Sequence, residues 1–201
     1  QKLLHQASGD NSGLGDTGRV QVEEGVAVDL EKSAMPTTVE SDDTRMPYKL
    51  FALKHKDCFL VADSFGDVEG RGDGLFRNDT RILSRFHMEL GERPLSLLSA
   101  SVSQDNVFFT AHVTNRPLPP LGGRSIPEGV IHMERSRFLW EERLYERIKV
   151  VNYGEEPVTA PLRLQFGADY RDMFEVRGTH RKRRGELLPA EFRKNGVVLS
   201  Y

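Results

Sequence analysis

From Pro47 onward, apolar and polar residues alternate with the period of two that a half-buried strand requires. Between Arg85 and Leu90, Phe86, Met88 and Leu90 fall on one side, and Arg85, His87 and Glu89 on the other. Gly91-Glu92-Arg93-Pro94 then reads as a turn and residues 95–102 as the returning strand. Residues 107–113 form a further β-branched and aromatic run, and residues 130–140 and 142–151 two long strands. Asn152 to Pro157 turns the chain, after which Val158, Ala160, Leu162, Leu164, Phe166 and Ala168 alternate over one long strand. Residues 196–201 read as a last strand with no turn after it, so the chain is expected to be a fragment of something longer. No amphipathic run of ten or more residues has the period of a helix.

Breakers divide these runs. No regular element passes through Asn115-Arg116-Pro117-Leu118-Pro119-Pro120-Leu121-Gly122-Gly123. Residues 1–45 are small and polar around Ser8 to Asp16 and have little to bury, so they read as a disordered tail or linker before a domain over residues 46–201. Several antiparallel strands joined by turns predict an all-β fold, a large antiparallel β-sandwich. Phe138-Leu139-Trp140 is apolar on both faces, which predicts a central strand or one carrying a partner domain on its outer face.

Composition narrows the function classes. The 201 residues carry 28 Lys and Arg against 30 Asp and Glu, a balance unlike the basic excess of a nucleic-acid binder. No apolar stretch reaches membrane-spanning length, and no cleavable signal pattern opens the chain. The single cysteine, Cys58, reads as a small buried hydrophobe, so no internal disulfide forms. Six scattered histidines, with His112 and His132 able to meet across neighbouring strands, do not predict a metal site. No phosphate loop or nucleophile elbow is present, and no cofactor is expected.

One segment stands out chemically, running from Gly70 to Arg85 through Gly72, Asp73, Gly74, Phe76, Asp79, Thr80 and Arg81. Its glycines suit a tight loop. Asp and Arg make bidentate hydrogen bonds that suit vicinal sugar hydroxyls, and Phe76 could offer a ring face to a pyranose. The plain alternative is a structural turn whose Asp and Arg satisfy backbone groups. A second mixture of acids and aromatics, Asp169 to Glu175, follows a strand directly. Glu146 shares an alternation face with Leu144, Ile148 and Val150, so it is expected to be buried and paired with an arginine such as Arg143 or Arg81. The basic run His180 to Arg184 reads as a solvated loop.

Phe59-Leu60-Val61-Ala62-Asp63, Gly72 to Phe76 and Asp79 to Ser84 resemble the opening of the N-terminal domain of bacterial-type glycogen-debranching enzymes, the amylo-α-1,6-glucosidase family. Phe138 to Arg147, Val151-Asn152-Tyr153-Gly154 and Ala168 to Gly178 are similar too, in order and with family-like spacing from about Lys49. The resemblance implies a super-sandwich of the galactose-mutarotase-like type, preceding an (α/α) barrel that holds the acidic pair for hydrolysis. It further implies a cytoplasmic parent enzyme of glycogen catabolism that cleaves α-1,6 branches of an α-glucan. It assigns no catalytic residue to this domain.

On this reading the domain packs on the barrel and helps shape the glucan cleft. Asp73, Phe76, Asp79, Thr80 and Arg81, with Asp172, Phe174 and Arg177, are expected to contact substrate or barrel. Glycoside hydrolysis needs two facing carboxyls; the candidate acids are Asp73, Asp79, Glu142, Glu146, Asp169, Asp172 and Glu175. Two other readings stand beside this one. A free-standing carbohydrate-binding module would bind through aromatics such as Phe76, Tyr170 or Trp140, and a purely structural scaffold would touch no sugar at all.

Overall fold

The structure is a computed structural model that describes residues 49–120 and 124–201. The tail expected over residues 1–45 lies outside the described residues.

The first sheet is built from β1 (Phe51–His55), β2 (Cys58–Ala62), β3 (Gly74–Arg77) and β4 (Thr80–Leu83), antiparallel and in that order. The second is built from β6 (Ser96–Val102), β7 (Phe108–Thr114), β8 (Ile131–Trp140) and β9 (Arg143–Asn152), also antiparallel and in chain order. A ribbon pairs β5 (Arg85–Leu90) with β10 (Leu162–Gly167). One helical turn, α1 (Met173–Val176), and a hairpin of β11 (Glu191–Arg193) and β12 (Gly196–Val198) complete the described chain.

The alternation dictates this packing. Phe51 and Leu53 of β1 and Cys58, Leu60 and Ala62 of β2 point inward, against Phe109 and Ala111 of β7 and Leu139 of β8. This is the core between the two four-stranded sheets. A second core lies where Met88 and Leu90 of β5 meet Val113, Ile131 and Met133. The inward face of β8 serves both, in the series Ile131, Met133, Arg135, Arg137, Leu139. Two arginines thus occupy positions that the period of two assigns to the interior.

Several local readings change. The stretch from Gly70 to Arg85, read as a loop, contains the β3–β4 hairpin, because Asn78 and Asp79 take positive φ (46° and 61°) and close a two-residue turn. β10 begins only at Leu162, since Pro161 has no N–H for the ladder; its carbonyl accepts from Gly91 N at 2.8 Å. The final strand stops at Val198, and Tyr201 stacks on Tyr170 with ring centroids 5.4 Å apart. The breaker loop is anchored by buried Asn115, whose Oδ1 accepts from Ile131 N (2.7 Å) and whose Nδ2 donates to the Arg116 and Pro127 carbonyls (2.9 and 2.7 Å). Among the described residues no helix is long and apolar enough to cross a membrane.

Met133, with no exposed surface, and Leu98, 59 % exposed, test this assignment of faces. Met133→Ala is expected to cost about 2–5 kcal/mol in urea unfolding. Leu98→Ala is expected to stay within about 0.5 kcal/mol. Equal costs would contradict the register of the second sheet.

Candidate functional site

The two segments singled out for their chemistry, 73–81 and 169–177, meet in space. Main-chain bonds bring them together: Arg81 N donates to Arg171 O (2.8 Å), Met173 N donates to Asp79 O (3.0 Å), and Thr80 bridges Asp172. The side chain of Arg81 then locks the junction. Its Nε and Nη2 make a bidentate pair with Asp169 (3.1 and 2.5 Å), while Nη1 reaches the carbonyls of Gly70 (2.9 Å) and Asp73 (3.1 Å). Gly74 makes room for this arginine. Its φ is +146°, and a Cβ there would stand 2.5 Å from Arg81 Cδ and 2.8 Å from Leu83 O.

Asp73, Phe76 and Arg81 are therefore not at a cleft edge. All three are buried, at 1, 2 and 1 % exposure. Asp73 folds the glycine loop by accepting from the N–H groups of Glu69 (2.6 Å) and Arg71 (2.8 Å). Phe76 lies flat against Phe59, centroids 4.7 Å apart, so its face is not open to a sugar. Tyr170, another candidate for sugar stacking, donates its hydroxyl to Leu199 O and stacks on Tyr201.

What the clamp presents to solvent is Asp79, Phe174 and Arg177, with Thr80 and Asp172 half-buried beside them. Asp172 caps α1: its Oδ1 accepts from Phe174 N and Glu175 N (both 2.9 Å), and Glu175 returns a bond to Asp172 N (3.1 Å). The Glu175 N–H above all, with help from the adjoining Arg181 guanidinium, outweighs the opposing effect of desolvation and holds the Asp172 carboxyl below its usual range. Arg184 ties the far side, from Nε to Glu175 (3.0 Å) and from Nη2 to Asp169 O (2.8 Å). Phe174 is left 63 % exposed on this braced platform.

A second polar assembly sits inside the sandwich. Glu146 is buried and paired, but not with Arg143 or Arg81. Arg143 lies on the opposite face of β9 and is exposed. The partners are Arg135, whose Nε lies 2.8 Å from Glu146 Oε1, and Arg137, whose Nη2 lies 3.0 Å from Oε2. Glu141 and Glu142 both have positive φ (46° and 60°) and form a two-residue turn, which sets Arg137 directly opposite Glu146. Arg135 also donates to Asp67 Oδ1 (2.6 Å) and Phe65 O (2.8 Å), and Arg137 donates to Gly66 O. Gly66 takes φ +81°, which L side chains rarely adopt, and a Cβ there would crowd the Phe109 ring (3.0 Å) and Arg137 (3.1 Å). His87 Nδ1 closes the network on Asp67 Oδ2 at 2.8 Å.

Burial alone would raise Glu146, but the two guanidinium charges outweigh it and hold its carboxyl below the usual range. Asp67 behaves alike, with His87 and Arg135 overcoming the effect of burial. His87 is raised by its hydrogen bond to Asp67 against a smaller effect of burial.

Six of the seven candidate acids are thus committed to structure. Asp73 holds a loop, Glu142 pairs with Arg77, Glu146 with two arginines and Asp169 with Arg81, while Asp172 and Glu175 cap α1. Only Asp79 stands in an open turn. His112 and His132 do meet, Nδ1 to Nε2 at 3.2 Å, but among the described residues no group of three or more His, Cys, Asp or Glu could hold a metal ion.

A family model described as the N-terminal domain of (some) glycogen debranching enzymes matches residues 53–201. The chain belongs to this family. No curated protein matches it. In this debranching-enzyme N-terminal domain, the matched span holds both the Arg81–Asp169 clamp and the buried network.

Two measurements test these assignments. Arg81→Met leaves Asp169 only the longer contact with Arg171 (3.5 Å) and the Gly70 and Asp73 carbonyls without their donor, and is expected to cost about 2–4 kcal/mol in urea unfolding. Arg81→Lys, which cannot make the fork, recovers only a minor part of that loss. Asp63 has the opposite sign to Asp67. Burial first, then the Asp67 carboxylate, pushes its carboxyl up to about 6, from about 3.9 in the unfolded chain. The folded state then binds more protons across that interval, so Asp63 lowers stability as pH rises from about 4 to 6. Asp63→Asn keeps an oxygen for Phe65 N and Asp67 N. It is expected to stabilise by about 1–2 kcal/mol at pH ~7 and to change little at pH ~3.5; a gain of equal size at both values contradicts the assignment.

Proposed function

We propose that this chain is the non-catalytic N-terminal module of an α-1,6-glucosidase acting on glycogen-like α-glucan in the cytoplasm, and that its clamped loop platform borders the glucan cleft beside an (α/α) catalytic barrel. The observation that carries this reading is the platform itself. A bidentate ion pair from the buried Arg81, two loop carbonyls and a capped helical turn brace a surface where an aromatic ring, a cation and a carboxylate are exposed. Such rigidity is what a substrate-contacting loop needs in order to hold its geometry. The acids play no part as a hydrolytic pair in this reading, because all but Asp79 are already engaged by arginines or backbone N–H groups.

In the intact enzyme, Phe174→Ala and Arg177→Ala are each expected to lower kcat/KM on branched glucan by about 5–30-fold, the scale of one lost polar or stacking contact of about 1–2 kcal/mol. Because both side chains are exposed, the melting temperature should hold within about 1 °C. Full activity in both variants would remove the platform from the cleft. A parallel fall in melting temperature would make it a structural element.

A further inference from the structure

The outer face of the second sheet carries features that neither the core nor the loop platform uses. Phe108, Phe138 and Tyr145 lie in register on β7, β8 and β9 and form a row across the strands. Phe138 stacks on Tyr145 with centroids 4.9 Å apart and planes 8° from parallel, and Phe108 leans on its other side at 5.8 Å. Trp140, 55 % exposed, extends the patch along β8. Next to it, Arg143, Arg147 and Lys149 point outward from β9. They stand opposite Trp140, Ser136 and Glu134, and none of the three makes an ion pair among the described residues.

We propose that this face docks an acidic, apolar-centred protein surface belonging to the catalytic part of the same debranching enzyme. The assignment of that partner rests on the function proposed above. Three observations select it. Rings stacked face to face at the spacing of adjacent strands turn their edges, not their faces, to the outside, which suits side-chain packing and not the stacking of pyranose rings. Three cations along one strand, none in an ion pair among the described residues and only Lys149 with a carboxylate residue (Glu134) across from it, call for carboxylates from a partner. The same cations set two copies of this chain against each other, because a two-fold contact would bring like charges together. An aromatic centre rimmed by charge is the usual composition of a protein–protein contact, and β8 is apolar on both faces where it passes through the patch.

The test uses the intact enzyme carrying Arg143→Glu, Arg147→Glu and Lys149→Gln together, the last neutral because Glu134 stands opposite it, with the 201-residue chain bearing the same changes as control. Calorimetry of the intact variant is expected to show this domain unfolding separately or roughly 3–6 °C earlier. The control chain, whose substitutions lie on an exposed strand face, should keep its melting temperature. An unchanged calorimetric profile in the intact variant overturns the proposal. So does retardation of the 201-residue chain by glycogen that Tyr145→Ala abolishes, which would give the face to glucan. Neither outcome depends on Phe174 or Arg177, so the cleft reading and the docking reading fail separately.

Discussion

Two guanidinium groups with no exposed surface, Arg135 and Arg137, sit where the two cores of the sandwich meet. Everything around them answers to the cost of keeping charge away from water. Glu146 and Asp67 supply compensating carboxylates, the Phe65 and Gly66 carbonyls supply acceptors, and the Phe86 ring covers both guanidiniums at 5.3 and 4.5 Å. These partners come from the loop after β2, from β5 and from β9, so the seam ties both sheets and the ribbon to one strand. It also fixes register. A slip of one residue in β8 would expose both arginines and bury Glu134 and Ser136 without such partners.

The clamp around Arg81 repeats the logic near the surface, with a different result. There, too, one arginine joins segments distant in sequence, but its partner Asp169 is partly exposed and the joined segments are loops. Rigidity is carried from the interior out to a platform whose free side chains are few. The glycines of this region serve the clamp: Gly74 clears the path of the arginine stem.

The period of two was enough to read the strands, because each long strand has one face in a core; β7, β8 and β9 fall within two residues of the runs that alternation marks. It failed at Gly74 to Leu83, where glycine richness hid a hairpin turned by Asn78 and Asp79. The platform was legible as two chemically dense segments, yet their meeting was not, since Arg81 and Asp169 lie 88 residues apart. Burial was the larger misreading. Asp73, Phe76 and Arg81 have the chemistry of a binding loop, and only the positions of their neighbours reveal that loop carbonyls, backbone N–H groups and another ring already occupy them. Arg135 and Arg137 were readable from the inward alternation of β8, once arginine is admitted to a core.

The span of 88 residues across the clamp also sets a schedule for synthesis on the ribosome. At ~5–20 residues per second, roughly 4–18 s pass between the emergence of Arg81 and that of Asp169. Over nearly the same interval β5 waits for β10, with Phe86, Met88 and Leu90 lacking the ribbon partner that helps cover them. A nascent chain in this state presents an apolar strand and an unneutralised arginine together, the kind of surface that a holding chaperone binds. The first sheet can assemble early, but closure of the domain has to wait until the last of its matched segments has left the exit tunnel.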